Sequence, residues 1–181
     1  ERVQYLFPKA HAVAYVLMAY RIAYCKVHHP KHFYASYFTV RATDFDYTHV
    51  SKGSHYIKNF IKSVYQQGFR ASVQDKSIAT YLELANEMIE RGYEFEKVDL
   101  YKSHPTKFLI TEKGLRPPLA SLAGVGNNAA LSIAEARDVN NPFISREDLR
   151  QRAGIGKAVI ERLADVGVLD DLPESNQIDL F

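Results

Sequence analysis

The residues with the plainest chemistry are four glycines. Gly124-Val125-Gly126 and Gly154-Ile155-Gly156 form the same triplet twice, each behind an alanine (Ala123, Ala153) and ahead of a helical run. Two glycines around one aliphatic residue make a tight turn at which backbone can approach a ligand closely. The first N–H groups of the following helix have no partner in the helix and attract anions. A doubled unit of this kind suits a periodic anion, the sugar-phosphate backbone of DNA. A single Gly-x-Gly is common in ordinary turns; two copies in register make the signal. Asn127 and Asn128 follow the first pair, and Lys157 and Ala158 the second. Arg146, Arg150, Arg152, Lys157 and Arg162 surround the second copy. The pattern places Leu122, Val125, Ala129, Leu131 and Ile133 in the core of the first copy, and Ile155, Val159, Ile160 and Leu163 in that of the second.

A second group lies near the start of the chain. His11 and Tyr15 share a face at helical spacing, and Lys9 stands at the helix start. Lys9 could hold a phosphate there, and His11 and Tyr15 could stack on or bond a base or sugar; the same pattern fits an amphipathic core helix with a polar edge. Cys25, His28, His29 and His32 invite a zinc reading, but a structural site needs a matching ligand pair elsewhere, and Pro30 divides the run. Asp44 and Asp46 resemble a two-carboxylate metal pair; their place ahead of the next helical run makes helix capping the better account.

The elements that must position these groups can be read in order. The helix spans Phe7 to Tyr24, with Pro8 in its first turn, and a second runs from Lys31 to Arg41 after Pro30. Along Tyr47 to Phe69, Lys52, Lys58, Lys62 and the adjoining Arg70 alternate with Tyr56, Phe60 and Tyr65, as on a nucleic-acid face or, the better account, an ordinary amphipathic helix. Ser77 to Arg91 reads as a helix capped by Ser77 and ended by Gly92, with Ile78, Tyr81, Leu82, Leu84, Ala85, Met88 and Ile89 inward. Tyr93 to Val98 and Lys107 to Thr111 read as short strands, Glu112 to Gly114 as a turn, and Arg116-Pro117-Pro118 as the end of pairing. The tail from Asp170 is acidic and turn-rich, and ends in Gln177, Ile178, Leu180 and Phe181, side chains able to enter a partner's apolar pocket.

Composition narrows the class. A chain of 181 residues, 46% hydrophobic, has material for a substantial core. A single cysteine excludes a disulfide framework and fits a reducing cytoplasm. No run has the length and apolarity of a membrane span, and the start, Glu1, reads as the beginning of a fragment. The net charge of +2 is divided unevenly: residues 1–74 carry 10 Lys and Arg against 3 Asp and Glu, residues 75–181 carry 13 against 18. A basic, tyrosine-rich first part points to a phosphate-bearing partner.

Taken together, Phe7-Pro8-Lys9-Ala10-His11, His29-Pro30-Lys31-His32, Arg41-Ala42-Thr43-Asp44, Glu87 to Tyr93 and the doubled glycine triplets resemble the C-terminal end of the PolC-type alpha subunit of bacterial DNA polymerase III, a family C replicative polymerase. The resemblance covers essentially the whole chain. It implies a mainly α fold: residues 1–92 from a helical fingers subdomain, a β connector over 93–119, a tandem helix-hairpin-helix duplex-binding domain over 120–172, and a flexible clamp-binding tail over 173–181. It implies that Lys9, His11 and Tyr15 face the incoming dNTP. Gly124, Val125, Gly126, Asn127, Gly154, Ile155, Gly156 and Lys157 would hold duplex DNA. Gln177, Ile178, Leu180 and Phe181 would bind the sliding clamp, Ile178 standing where the family usually has Leu. Ala123 stands where many such hairpins have Pro, and Asp44 and Asp46 match a capping stretch rather than catalytic carboxylates. The metal-binding palm, with its two Mg²⁺ ions, would lie upstream, and the full-length family also carries a 3′–5′ exonuclease. The piece alone would not polymerise. A free-standing tandem-hairpin adaptor of repair or recombination is the rival reading; it has no need of a nucleotide-facing helix.

Overall fold

The structure, a computed structural model, describes residues 8–42 and 45–175. The expectations placed on Asp44 and on Gln177, Ile178, Leu180 and Phe181 fall outside them.

Helix α1 spans Lys9–His28 and α2 Pro30–Val40. Pro8 sits at the N-cap of α1, and Pro30 opens α2, where its missing N–H costs nothing. Helix α1 therefore runs past Tyr24 to the second proline. It is not the core helix its pattern allowed, because none of its residues is buried. One end is fixed instead. Glu87 accepts a hydrogen bond from Lys26 at 2.6 Å and one from the Tyr34 hydroxyl at 3.0 Å. Arg91 lies 3.1 Å from the same carboxylate and also donates to the Lys26 carbonyl. Partial burial works to raise the Glu87 pKa, but the hydrogen bonds from Lys26 and Tyr34 and the charges of Lys26 and Arg91 outweigh it and hold the carboxyl below its ordinary range. The Tyr34 hydroxyl is pushed up to about 12 by burial and by its bond to Glu87.

Asp46 caps the short helix α3, Tyr47–Val50, by accepting from the Thr48 N–H, so this carboxylate does work as a helix cap. Helices α4, Ser54–Gln67, and α5, Val73–Glu90, form an antiparallel hairpin around Gly68. The cap of α5 is Ser72 rather than Ser77: its Oγ accepts from the Asp75 N–H, and the helix starts one turn early. Ile78, Tyr81, Leu82, Ala85 and Met88 face inward as expected, with Leu84 and Ile89 at the margin.

The connector is smaller and differently wired than the sequence indicates. Strands β1, Glu94–Phe95, and β2, Leu109–Ile110, flank a central strand β3, Gly114–Arg116, parallel to β1 and antiparallel to β2. Gly114 belongs to this strand rather than to the turn before it. A Cβ there would lie 2.1 Å from the Glu94 carbonyl oxygen, so only glycine admits the β1 backbone. Pro117 and Pro118 end the pairing, as read.

Helices α6, Asn127–Ala136, α7, Arg146–Ala153, and α8, Lys157–Asp165, complete the fold. One buried cluster contains residues from Tyr34 to Leu169, with the rings of Phe38, Phe45 and Phe108 at 5.0 to 5.5 Å where α2 meets the connector. That core crosses both sequence-read boundaries, at residues 92 and 119. Leu131 is the exception to the expected core: it is 43% exposed, and Ala130 is buried in its place.

Candidate nucleic-acid interface

The two glycine triplets adopt one backbone. Gly124 and Gly154 have φ of +87° and +61°, a region closed to most side chains. Gly126 and Gly156 are the N-caps of α6 and α8, with nearly equal angles (φ −68° and ψ 160°; φ −73° and ψ 157°). Val125 and Ile155 point into the core between them. The glycines at 126 and 156 have open space where a Cβ would stand, so no protein neighbour requires them to be glycine.

Helices α3, α5 and α7 are capped by the side chains of Asp46, Ser72 and Ser145. Helices α6 and α8 have no side-chain cap. Among the described residues, the N–H groups of Gly126, Asn127, Asn128, Gly156, Lys157 and Ala158 meet no protein acceptor. Helices α1, α2 and α4 also lack side-chain caps, so an open end alone selects nothing. What sets α6 and α8 apart is that each open end follows the same left-handed glycine turn, twice. The result is two sets of exposed amide donors able to bind phosphate oxygens.

The copies differ in what precedes them. In the second, helix α7 leads into the turn and ends in a left-handed Gly154, with the Ile155 N–H returning to the Arg150 carbonyl at 3.2 Å. In the first, a single 3₁₀ turn, Leu119–Ser121, takes the place of the leading helix. Strand β3 and the two prolines occupy the residues a full helix would need.

The arginines around the second copy divide by task. Arg162 donates from Nε to the Ala123 carbonyl at 3.0 Å, and its stem lies 3.2 Å from where a Gly124 Cβ would be, so it ties the first turn to α8. Arg152 donates to the carbonyls of Ala136 and Asn141, pairs with Asp148 at 3.2 Å and covers the Phe143 ring. Arg146 donates to the Leu169 carbonyl. These three hold the loop and hairpin together. Arg150 and Lys157 are exposed, Lys157 only 3.6 Å from Glu161 one turn on, and remain available to an anion. The sequence did not separate the two groups, because only the fold brings the accepting carbonyls to the guanidiniums. It also gave no sign of Arg137, which bonds the carbonyls of Leu100 and Ser103 and fixes the end of α6 to the connector.

Lys9, His11 and Tyr15 all lie exposed on the first turns of α1. The rings of His11 and Tyr15 meet edge to face at 4.5 Å, as their spacing predicts. Around the α1–α2 junction the rings of His29 and His32 meet edge to face at 6.1 Å, and Tyr24 packs on His28. Among the described residues no three His, Cys, Asp or Glu side chains are placed to hold a metal ion, and Asp46 is engaged as a cap. No helix among the described residues is long and apolar enough to cross a membrane.

This geometry is that of the helix-hairpin-helix motif, and residues 92–178 match the family model of that motif. Over its whole length the chain is also similar to proteins named DNA polymerase III PolC-type. It is 55% identical over 180 residues to that of Halalkalibacterium halodurans, which is 99% of this chain and 12% of the relative. It is 55% identical to that of Caldanaerobacter subterraneus, and 50% identical to that of Bacillus subtilis, covering 100% of this chain and 13% and 12% of those relatives. The chain belongs, as a segment, to the PolC-type DNA polymerase III family. It spans only about an eighth of the length of the relatives it matches.

Proposed function

We propose that this chain is the part of a replicative, template-directed DNA polymerase that grips the duplex, presents a helix to the incoming nucleotide and ties the enzyme to its clamp. The repeated glycine turn carries the reading: two uncapped helix starts of equal backbone geometry, each with three open amides. Gly124 to Asn127 and Gly154 to Lys157 bind phosphates of the primer-template through backbone N–H groups, assisted by Arg150 and Lys157. Binding is therefore indifferent to sequence. Exposure of Lys9, His11 and Tyr15 on one end of α1 supports a nucleotide-facing role, Lys9 toward the triphosphate and the two rings toward sugar or base. The carboxylates that hold the two magnesium ions belong to a part of the polymerase outside this chain, which alone does not polymerise. Gln177, Ile178, Leu180 and Phe181 form a short peptide for a sliding clamp. Removal of residues 177–181 is expected to abolish clamp binding in a pull-down while leaving duplex affinity unchanged. Loss of both, or of neither, contradicts the division of roles.

A further inference from the structure

The turn between α4 and α5 exposes an aromatic ring more completely than any other large hydrophobic side chain on the described surface. Phe69 is 105% exposed, flanked by Val73 at 86% and Tyr65 at 68%. The turn is built to hold that ring outward. Gly68, with φ of +55°, swings the chain out of α4, and the Ala71 N–H returns to the Gly68 carbonyl. Val64, Ala71 and Ala79 form a small core of their own directly beneath. The Tyr65 hydroxyl is bonded to Glu83 of α5, fixing the neighbouring ring.

The segment that carries the tip is mostly cationic. Between Lys52 and Lys76 the sequence has five cationic side chains, Lys52, Lys58, Lys62, Arg70 and Lys76, against one acid, Asp75. Asp75 is occupied by the Ser72 hydroxyl at the cap of α5. Lys58 pairs with Glu90 and Lys52 lies over the Tyr56 ring. Lys62, Arg70 and Lys76 form no ion pair among the described residues. Lys76 lines the same hollow as Gly68, Tyr65 and Glu83, whose carboxylate is engaged by the Tyr65 hydroxyl, and Arg70 follows the ring directly. An exposed aromatic face beside unpaired cations matches the stacking-plus-phosphate chemistry of single-stranded nucleic acid. The interior of a duplex keeps its base faces covered and offers Phe69 nothing to stack on.

We infer that the Gly68–Arg70 turn is a single-strand contact, with a base stacked on Phe69 and the flanking phosphates held by Arg70 and Lys76. The polymerase reading, on which this rests, names the strand as unpaired template DNA; the duplex grip of the glycine hairpins is a separate contact. The chain contains no tryptophan, so Phe69→Trp introduces a single reporter at the tip. With an oligothymidine strand, the Phe69→Trp variant of the 181-residue chain is expected to keep wild-type affinity and to show strong fluorescence quenching. Blunt duplex should leave that fluorescence unchanged. Phe69→Ala is expected to weaken single-strand binding by about tenfold, and Arg70→Ala to weaken it and flatten its salt dependence. Both should leave blunt-duplex affinity intact. Because Phe69 buries nothing, its replacement does not threaten folding. Unchanged single-strand affinity in Phe69→Ala, with or without loss of a protein partner, overturns the inference, as does binding without quenching in Phe69→Trp. If blunt-duplex binding fails while the Trp signal persists, the hairpin reading falls and this one stands.

Discussion

Single residues set how the connector responds to acid. The His104 Nδ1 accepts the N–H groups of Thr106 and Lys107, both at 3.0 Å, so the ring must be unprotonated there. Burial, then the charges of Lys107 and Arg137, hold its pKa below the ordinary histidine range. A folded-state value below the unfolded one, about 6.5, means the contribution is complete above that pH and is lost as the pH falls through the folded value. Its size is about 1 kcal/mol, the net worth of two backbone hydrogen bonds on a part-exposed turn. Asparagine can accept from the N–H two residues on without titrating. Melting His104→Asn and the wild type at pH 7 and pH 5.5 is therefore expected to show a smaller acid shift in the variant. His49, also lowered by burial, remains as the shared background. Glu87 acts in a different window: its lowered pKa gives stability that is complete above the unfolded value of about 4.3 and is lost only as the pH falls below it.

Among the elements, those that are long and periodic could be read from the chain, and those fixed by contact could not. The inward face of α5 and the division of the first helices at Pro30 followed from spacing and from proline's missing donor. The cap of α5 did not, since Ser72 and Ser77 both precede helical residues and only the observed bond to Asp75 separates them. Strand β3 was hidden because three residues carry no period, and Gly114 ordinarily signals a turn. Its true requirement is the approach of the β1 backbone. Gly114→Ala is expected to cost about 3 kcal/mol or more, measured by chemical denaturation, since the carbonyl it meets cannot move without breaking the sheet. The glycine turns were legible because a left-handed backbone position leaves glycine as the natural choice. The 3₁₀ turn before the first was not, because it depends on where β3 ends.

On the scale of the whole molecule, the fold separates a well-packed body from a helix with little to pack on. Val13, Leu17, Met18 and Ile22 of α1 are each about half exposed, while the Lys26–Glu87–Arg91 cluster secures only the far end of the helix. That arrangement leaves Lys9, His11 and Tyr15 exposed on the unsecured part of α1. In the full-length polymerase, Lys9→Ala is expected to raise the KM for nucleotide several-fold with little change in duplex affinity, checked by steady-state extension and by anisotropy. The duplex grip is the central claim, and the glycine N-caps allow a clean test of it. A methyl group at Gly126 or Gly156 meets no protein atom and suits the backbone angles, so Gly126→Ala with Gly156→Ala should cost under about 1 kcal/mol per site in stability. The same methyls stand where phosphate oxygens would approach the amides. The decisive measurement is the affinity of the 181-residue chain and of this double variant for two blunt duplexes of unrelated sequence at increasing salt. The expected result is equal affinity for the two sequences, a steep fall with salt, and at least tenfold weaker binding by the folded variant. Binding that ignores salt, that prefers one sequence, or that survives both methyls would contradict it.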